Sequence, residues 1–287
     1  MIIMLSKTEY GLALIQFNEF ANPDIVVEFA VEAEKAGWDG IFICDHLLFS
    51  REPANSIAET WILMSAIAAK TKKIKIGTYV TPLPRYHPWQ FAKMTATLDV
   101  LSKGRLILGI GIGGPEVEFE AFGEKYNTKI LAEKLDESLD IIQGLWTGEP
   151  FSYSGKHYTI DNVRLLPKPI QTPRIPLVLG GTWPNKKPFI RAAKFDGVMP
   201  IQKNFPQELT VEEVKKINTL IMQNRASTHN FEIMISGTGF FTPEKRVEMI
   251  KPYIDAGITW WLEHVNTLMQ PSVEEMRRVV KQGPPKS

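Results

Sequence analysis

Eight short runs of apolar, β-prone residues recur along the chain, and each is followed by a longer segment whose apolar residues have helical spacing. Alternation of strand and helix predicts parallel strand pairing. The runs cover residues 10–15, 40–44, 74–80, 106–110, 175–179, 197–200, 231–236 and 258–262. This count favours closure into an α/β fold of the (β/α)8 TIM-barrel type. An open doubly wound sheet remains the alternative if two runs are misassigned.

Capping signals fix several of the predicted helices. Asn22-Pro23 predicts an N-cap and a first helical residue, and Gly37 ends that helix. A capping box at Thr210 to Glu213 and a second one at Ser272 to Glu275 open later helices. The segment from about 147 to 174 is rich in Gly, Pro and polar residues, which predicts an excursion between strands 4 and 5 with at most a small hairpin. No linker divides the chain, so residues 1–287 are expected to form a single domain.

Composition excludes several classes of protein. The chain of 287 residues carries 33 Lys+Arg against 32 Asp+Glu, which argues against a nucleic-acid binder with a basic face. It has a single cysteine, Cys44, so neither an intramolecular disulfide nor a Cys-cluster metal site is expected. No His/Asp pattern indicates a metal site. The absence of long apolar runs and of a signal-peptide pattern makes a cytoplasmic protein with no membrane helix the expectation.

The active site of an α/β barrel lies at the carboxyl ends of its strands, so the residues after each apolar run are the candidates for function. Asp45-His46 follows a strand that should be buried, and the pair offers an acceptor and a titrating group; alternatively Asp45 caps a loop and His46 fills polar space. Arg85 and His87 lie in a Pro-rich loop that could form a rigid substrate wall or merely a rigid loop. Arg85, His87 and Trp183 are the candidate substrate contacts.

Two glycine clusters also follow strands. The first contains Gly111 and Gly113, and alone it is a weak signal because glycines often only permit a tight turn. The second, Gly180-Gly181-Thr182, precedes a predicted helix, whose N-terminus and backbone N–H groups could hold an anion. Together the clusters indicate a phosphorylated cofactor. There is no Gly-x-Ser-x-Gly elbow, which argues against a serine hydrolase.

Several motifs of the chain resemble those of the luciferase-like monooxygenase superfamily, and they extend over about residues 10–200. The segments that carry the resemblance are Gly37-Trp38-Asp39-Gly40-Ile41-Phe42, Asp45-His46-Leu47-Leu48-Phe49, Ile76-Gly77-Thr78-Tyr79-Val80-Thr81-Pro82, Lys103-Gly104-Arg105-Leu106-Ile107-Leu108-Gly109-Ile110-Gly111, Leu145-Trp146-Thr147-Gly148, Gly155-Lys156-His157-Tyr158 and Leu177-Val178-Leu179-Gly180-Gly181. Each motif is modest, and their order and spacing together are specific.

The resemblance implies a TIM-barrel enzyme that uses reduced FMN with oxygen, or coenzyme F420 for hydride transfer. It places Asp45 and His46 beside the cofactor ring, with His46 as the catalytic residue that moves a proton or orients a peroxide. It implies a non-proline cis peptide at Thr78-Tyr79 that supports the ring, and a cofactor contact at Thr81. Gly180, Gly181 and Thr182 match the family's phosphate loop, and Gly111 and Gly113 are further candidate cofactor contacts.

Two departures bear on the cofactor. Some deazaflavin-dependent members carry a Trp shortly after the Asp-His pair, where this chain has Leu48, Phe49 and Ser50. They also carry a Glu in the fourth-strand glycine loop, where this chain has Gly114 and Pro115, although Glu116 or Glu118 could substitute.

These departures favour an FMN-dependent monooxygenase that acts on a small organic substrate, and a separate flavin reductase is a candidate partner. The alternative is an F420-dependent hydride-transfer oxidoreductase. A hypothesis from a different functional class is a barrel that binds flavin but does not catalyse a reaction. Because family members are often dimers, a homodimer is expected.

Overall fold

The strands of the computed structural model appear in the order and at the places that the apolar runs predict. The structure describes residues 8–204, 207–237, 243–265 and 272–285. The strands are β1 (Glu9–Leu14), β2 (Gly40–Ile43), β3 (Lys75–Thr78), β4 (Thr81–Pro82), β5 (Leu106–Gly111), β6 (Phe151–Ser154), β7 (Thr159–Val163), β8 (Leu177–Trp183), β9 (Gly197–Gln202), β10 (Glu232–Gly237) and β11 (Trp260–Val265).

Parallel pairing closes these strands into a barrel. Strand β1 pairs with β2 and with β11, and the ladder continues through β10, β9 and β8 to β5. Strand β5 in turn pairs with β3, which pairs with β2, so the sheet has no open edge. Strand β4 continues β3 after a two-residue interruption and also pairs with β5. The TIM-barrel prediction is therefore confirmed, and the open sheet is excluded.

Helices surround the barrel between successive strands. They are α1 (Pro23–Ala36), α2 (Thr60–Lys70), α3 (Pro88–Ser102), α4 (Val117–Glu120), α5 (Thr128–Trp146), α6 (Lys186–Ala192), α7 (Val211–Asn224), α8 (Pro243–Asp255) and α9 (Val273–Gln282). The predicted caps are confirmed: the Asn22 side chain accepts from the N–H of Asp24, and Thr210 and Glu213 form a reciprocal capping box. Within the described ranges no helix is long and apolar enough to span a membrane.

The predicted excursion contains a small hairpin, as expected. Strands β6 and β7 pair antiparallel and stand apart from the barrel sheet. One element was missed: the short helix α4 lies between β5 and α5, where the sequence has no long apolar period. Helix α5 begins at Thr128, because the Asn127 side chain accepts from the N–H groups of Lys129 and Ile130 and caps the helix there.

Side-chain alternation along the strands separates two cores. The larger core fills the space between the barrel and the helices. The smaller core fills the barrel interior and consists of Ala13, Phe42, Ile107, Val178, Met199, Met234, Trp260 and Leu262. Positions two residues beyond these toward the carboxyl end must also face inward, and they form the upper rim of the barrel.

Candidate active site at the barrel mouth

The carboxyl ends of the barrel strands form a mouth lined by a mixture of small and polar residues. Alternation from the interior core assigns the inward-facing positions to Cys44, Gly111, Gly180, Thr182, Ile201, Ser236 and His264. Cys44 is buried, and burial, with the charges of Asp45 and Glu118 nearby, raises the pKa of its thiol. The thiol is therefore protonated and is not a candidate nucleophile.

One side of the mouth holds buried charges. Arg85 Nη2 donates to Asp45 Oδ1 at 2.5 Å, and the Tyr86 hydroxyl donates to both Asp45 oxygens at 3.0 Å. Arg85 Nη1 lies 3.3 Å from Oε2 of Glu118. The Asp45 and Glu118 side chains are 3% and 0% exposed, so Arg85 bridges two carboxylates that have almost no access to water. We call Asp45, His46, Arg85 and Glu118 the ionic cluster.

In the ionic cluster, burial and ion pairing shift the pKa values of the side chains in opposite directions. Burial raises the pKa of the Asp45 carboxyl, and Arg85, Thr81 and Tyr86 act in the opposite direction. Burial alone would lower the pKa of the Arg85 guanidinium, but Asp45, Tyr86 and Glu118 together raise it. Arg85 therefore stays charged, and its charge is what stabilises ionised Asp45 inside the protein.

Glu118 joins His46 to the cluster. Its Oε1 accepts from the backbone N–H groups of Leu47 and Leu48, at 2.8 and 3.2 Å, and lies 3.1 Å from His46 Nδ1. Of the two glutamates that could substitute for the family's loop Glu, the structure therefore brings Glu118 to the site, whereas Glu116 is exposed. The carboxylate of Asp45 is held by Arg85 and Tyr86 and does not contact the His46 ring directly.

The imidazole of His46 is flanked by aromatic rings. Phe17 and Phe49 contact it edge-on, with centroid distances of 5.7 and 5.5 Å. The side chain is 21% exposed. Its Nε2 has no hydrogen-bond partner in the part of the chain that the structure describes and is accessible to solvent. His46 thus has one nitrogen held by protein and one open to a ligand.

The predicted cis peptide is present one residue later than expected. The non-proline cis bond joins Tyr79 and Val80, so the assignment to Thr78-Tyr79 was wrong by one position. The shift reflects the strand: Thr78 still belongs to β3, where its buried hydroxyl donates to the carbonyl of Gly109 at 2.7 Å, and the chain leaves the strand after it.

Val80 lies between two glycines at the mouth. A Cβ at either Gly111 or Gly180 would come within 3.2 Å of Val80 Cγ2. Because neither glycine carries a side chain, nothing from these two positions covers half-buried Val80, and His46 offers a polar group elsewhere on the same rim. These residues fit a flat tricyclic ring of the flavin or deazaflavin type, which needs an apolar face and a few polar groups.

On the opposite side of the mouth, the inward-facing positions among the described residues of β8, β10 and β11 carry hydroxyl groups, an imidazole or no side chain. The Tyr79 hydroxyl shares a 2.5 Å hydrogen bond with Ser236 Oγ, and its ring packs against His264. Burial lowers the pKa of His264, and Glu208 acts in the opposite direction. We call Gly180, Thr182, Ser236 and His264 the neutral wall.

The predicted phosphate loop lies inside a strand and not after one. Strand β8 runs through Trp183, and β9 pairs with it as far as Gln202. A Cβ at Gly181 would meet Phe189 and Pro188 of α6 at 3.2 Å, so that position faces the helix layer, as does Trp183, which packs on Phe189. Only Gly180 and Thr182 of the predicted triplet face the mouth.

The other candidates lie in different surroundings. Thr81 is fully buried in β4 and favours the charged form of Asp45. Gly113 adopts φ +94°, and its carbonyl accepts from the Tyr126 hydroxyl, so it serves the turn after β5. His87 is exposed and stacks on Trp89 at 5.0 Å, outside the ionic cluster. Some of the residues predicted to contact a ligand therefore line the mouth, and the others lie in the structure around it.

Sequence reasoning missed the roles of Glu118, Tyr86 and the two phenylalanines beside His46. Tyr86 and Phe17 carry no local signal, because their contacts to Asp45 and His46 cross between loops. Glu118 follows the strand-5 glycine cluster, and its place in that loop was the one available clue.

Comparisons with known proteins agree with this architecture. A family model described as luciferase-like monooxygenase matches residues 5–277. An F420-dependent glucose-6-phosphate dehydrogenase of Amycolatopsis mediterranei (strain U-32) is 34% identical over 177 residues, which are 61% of this chain and 52% of that protein. An F420-dependent hydroxymycolic acid dehydrogenase of Mycobacterium tuberculosis (strain ATCC 25618 / H37Rv) is 30% identical over 172 residues, 60% and 48% of the two chains. The chain thus spans about half the length of these curated relatives.

Solved structures share the whole fold at lower identity. An F420-dependent secondary alcohol dehydrogenase in complex with an F420-acetone adduct superposes with a TM-score of 0.81 at 20% identity, covering 98% of this chain and 99% of that one. The oxygenating constituent of 3,6-diketocamphane monooxygenase from Pseudomonas putida, in complex with FMN, gives 0.79 at 18% identity, with the same coverage of both chains. Because the family model matches nearly the whole chain and the barrel is closed as in these structures, the chain belongs to the luciferase-like monooxygenase family.

Proposed function

We propose that this protein is an F420-dependent oxidoreductase that interconverts an alcohol and a carbonyl compound. The observation that carries the proposal is His46, which stands at the barrel mouth with Nδ1 against buried Glu118 and Nε2 open to a ligand. The named activities of both curated relatives support it, because each is an F420-dependent dehydrogenase.

The chemistry needs one hydride acceptor and one proton acceptor. When bound, the deazaflavin accepts the hydride, the pair of electrons of the breaking C–H bond with its hydrogen. The hydroxyl proton of the alcohol passes to Nε2 of His46, so the substrate loses two hydrogens in total and becomes a carbonyl compound. Val80, Gly111 and Gly180 hold the flat ring at the rim, and Phe17 and Phe49 keep water away from one side of the imidazole.

The charges at the mouth bear on the substrate. Arg85, predicted to bind substrate, is already engaged by Asp45 and Glu118 and is only 12% exposed. It is therefore not free to bind a phosphate monoester. We assign the cofactor phosphate to the neutral wall, where Thr182 faces the mouth and Lys203 follows β9 as an exposed cation. We therefore propose an uncharged alcohol group as the part of the substrate that lies at the ionic side.

An FMN-dependent monooxygenase is the second candidate. The observation that favours it is local: Leu48, Phe49 and Ser50 stand where some deazaflavin-dependent members carry a Trp. The same rim of Val80 and glycines accommodates an isoalloxazine ring equally well. This candidate would require a supply of reduced FMN, for example from a separate reductase.

Cofactor titration followed by an anaerobic assay separates these possibilities. We expect F420 to bind more tightly than FMN, and a secondary alcohol such as 2-propanol to bleach the absorbance of oxidised F420 in proportion to the ketone formed. Tight binding of FMN alone, with oxygen consumption that depends on reduced flavin, would favour the second candidate. Binding of either cofactor with no turnover over a broad panel of substrates would indicate a barrel without catalysis.

A further inference from the structure

We propose that Glu118 is a positioning residue: it fixes His46 in the tautomer that carries hydrogen on Nδ1 and so leaves the lone pair of Nε2 facing the mouth. The inference rests on the proposed function only in the role that it gives Nε2 as proton acceptor. The tautomer itself is a property of the protein without cofactor or substrate.

The surroundings of Glu118 allow little other arrangement. Its side chain is fully buried, and its Oε1 accepts from the N–H groups of Leu47 and Leu48 while Oε2 faces Arg85. In the part of the chain that the structure describes, the polar groups that contact the carboxylate besides His46 are the donors of Leu47, Leu48 and Arg85, so its oxygens act as acceptors. Nδ1, 3.1 Å from Oε1, must then be the donor in that contact. In a neutral imidazole the other nitrogen is left unprotonated.

The charges of the ionic cluster favour proton transfer from the substrate to Nε2 of His46. Asp45 and Glu118 supply two negative charges and Arg85 supplies one positive charge, while Tyr86 is neutral because burial raises the pKa of its phenol. A proton taken up at Nε2 converts His46 to a cation beside Glu118 and completes the balance. Fixed charges aimed at the charge that develops during reaction are an effective form of catalysis in a water-poor site.

A purely structural role is the competing explanation, because Glu118 also holds the backbone at Leu47 and Leu48. Two variants separate the roles. Glu118→Gln keeps an oxygen that the two backbone N–H groups can hold in place, so the tautomer should be retained while the charge is lost. Glu118→Leu removes the acceptor and leaves Arg85 balanced by Asp45 alone. Glu120→Gln is the matched control, since Glu120 belongs to the same short helix but is exposed.

The test is nitrogen NMR of protein labelled with 15N-histidine, at a pH where His46 is neutral. The chain has five histidines, and the His46 signals are assigned by their loss in His46→Asn. We expect a protonated Nδ1 and an unprotonated Nε2 in the wild type, in Glu118→Gln and in Glu120→Gln. We expect a mixture of tautomers, or the opposite one, in Glu118→Leu.

Kinetics add the catalytic half of the test. In Glu118→Leu, kcat should fall about tenfold to a hundredfold while KM changes less than about threefold, with a smaller fall in Glu118→Gln. A wild-type His46 protonated on Nε2 would overturn the inference, even if Glu118→Leu failed to fold. So would an unchanged tautomer in a folded Glu118→Leu. The predicted tautomer in a protein that oxidises no alcohol would uphold the positioning role and refute the proposed function instead.

Discussion

The two sides of the barrel mouth are built on opposite principles. The ionic cluster brings together residues from three separate loops, with Glu118 reaching His46 across 72 positions of sequence, and pairs them in a place that water scarcely enters. The neutral wall stands on the regular strands β8, β10 and β11, and at Gly180 it lacks a side chain. In the proposed function, charge pairing positions the groups that react, and the missing side chain at Gly180 leaves room for the cofactor ring.

The largest difference between the two sides should appear in stability. Arg85→Met leaves the carboxylates of Asp45 and Glu118 buried without their cation. Breaking a buried ion pair in this way costs about 3–5 kcal/mol. On the neutral wall, Ser236→Ala removes one hydrogen bond to Tyr79, which should cost about 1 kcal/mol. The free energy of unfolding in urea measures both values.

A double variant tests whether the stability lost in Arg85→Met comes from the unpaired carboxylates. Asp45→Asn in the Arg85→Met background removes one of the two uncompensated charges and should recover part of the lost stability. If Arg85→Met costs no more than Ser236→Ala, the cluster does not hold the mouth together in the way described.

On the neutral wall, we expect a substitution to weaken cofactor binding by less free energy than Arg85→Met costs in stability. Gly180→Ala puts a methyl group at the mouth, 3.2 Å from Val80 Cγ2, whereas Gly181→Ala puts the same group against α6 at the same distance. In both variants the new methyl group lies equally close to its nearest neighbour, but only Gly180→Ala narrows the space for the cofactor ring. We expect the cofactor Kd to rise about tenfold, or 1.4 kcal/mol, in Gly180→Ala and to stay near wild type in Gly181→Ala. Equal affinities in the two variants would contradict the assignment of the ring to this rim.

The smallest effect concerns pH. Burial lowers the pKa of His264, so the unfolded chain, with an ordinary histidine pKa of about 6.5, binds a proton before the folded protein does. Stability should therefore fall as the pH drops below about 6.5 toward the lowered native pKa. His264→Asn should reduce this dependence, and His229→Asn, in an exposed loop, should not. An unchanged pH profile in His264→Asn would show that burial of this imidazole has no energetic consequence.

Local patterns predicted the barrel better than they predicted its mouth. The apolar runs and the Asn22 and Thr210 caps are determined by neighbours a few residues away, and all of them are found in the structure. The position of the cis bond was missed by one residue, because the end of β3 at Thr78 depends on its pairing with Ile43 of β2 and not on its own sequence. The partner of His46 was only one of two possible glutamates, because the four-residue helix that carries Glu118 has no periodicity to reveal which way it faces.

The most direct test of the central claim is the kinetics of His46→Asn, with His229→Asn as its control. If Nε2 of His46 accepts the substrate proton, the variant should keep its fold and its affinity for F420 while kcat for alcohol oxidation falls on the order of 10²–10⁴-fold. His229→Asn should match the wild type in both constants. A loss of less than about tenfold in kcat, with the change appearing in KM, would show that His46 is a wall of the substrate pocket and would contradict the account.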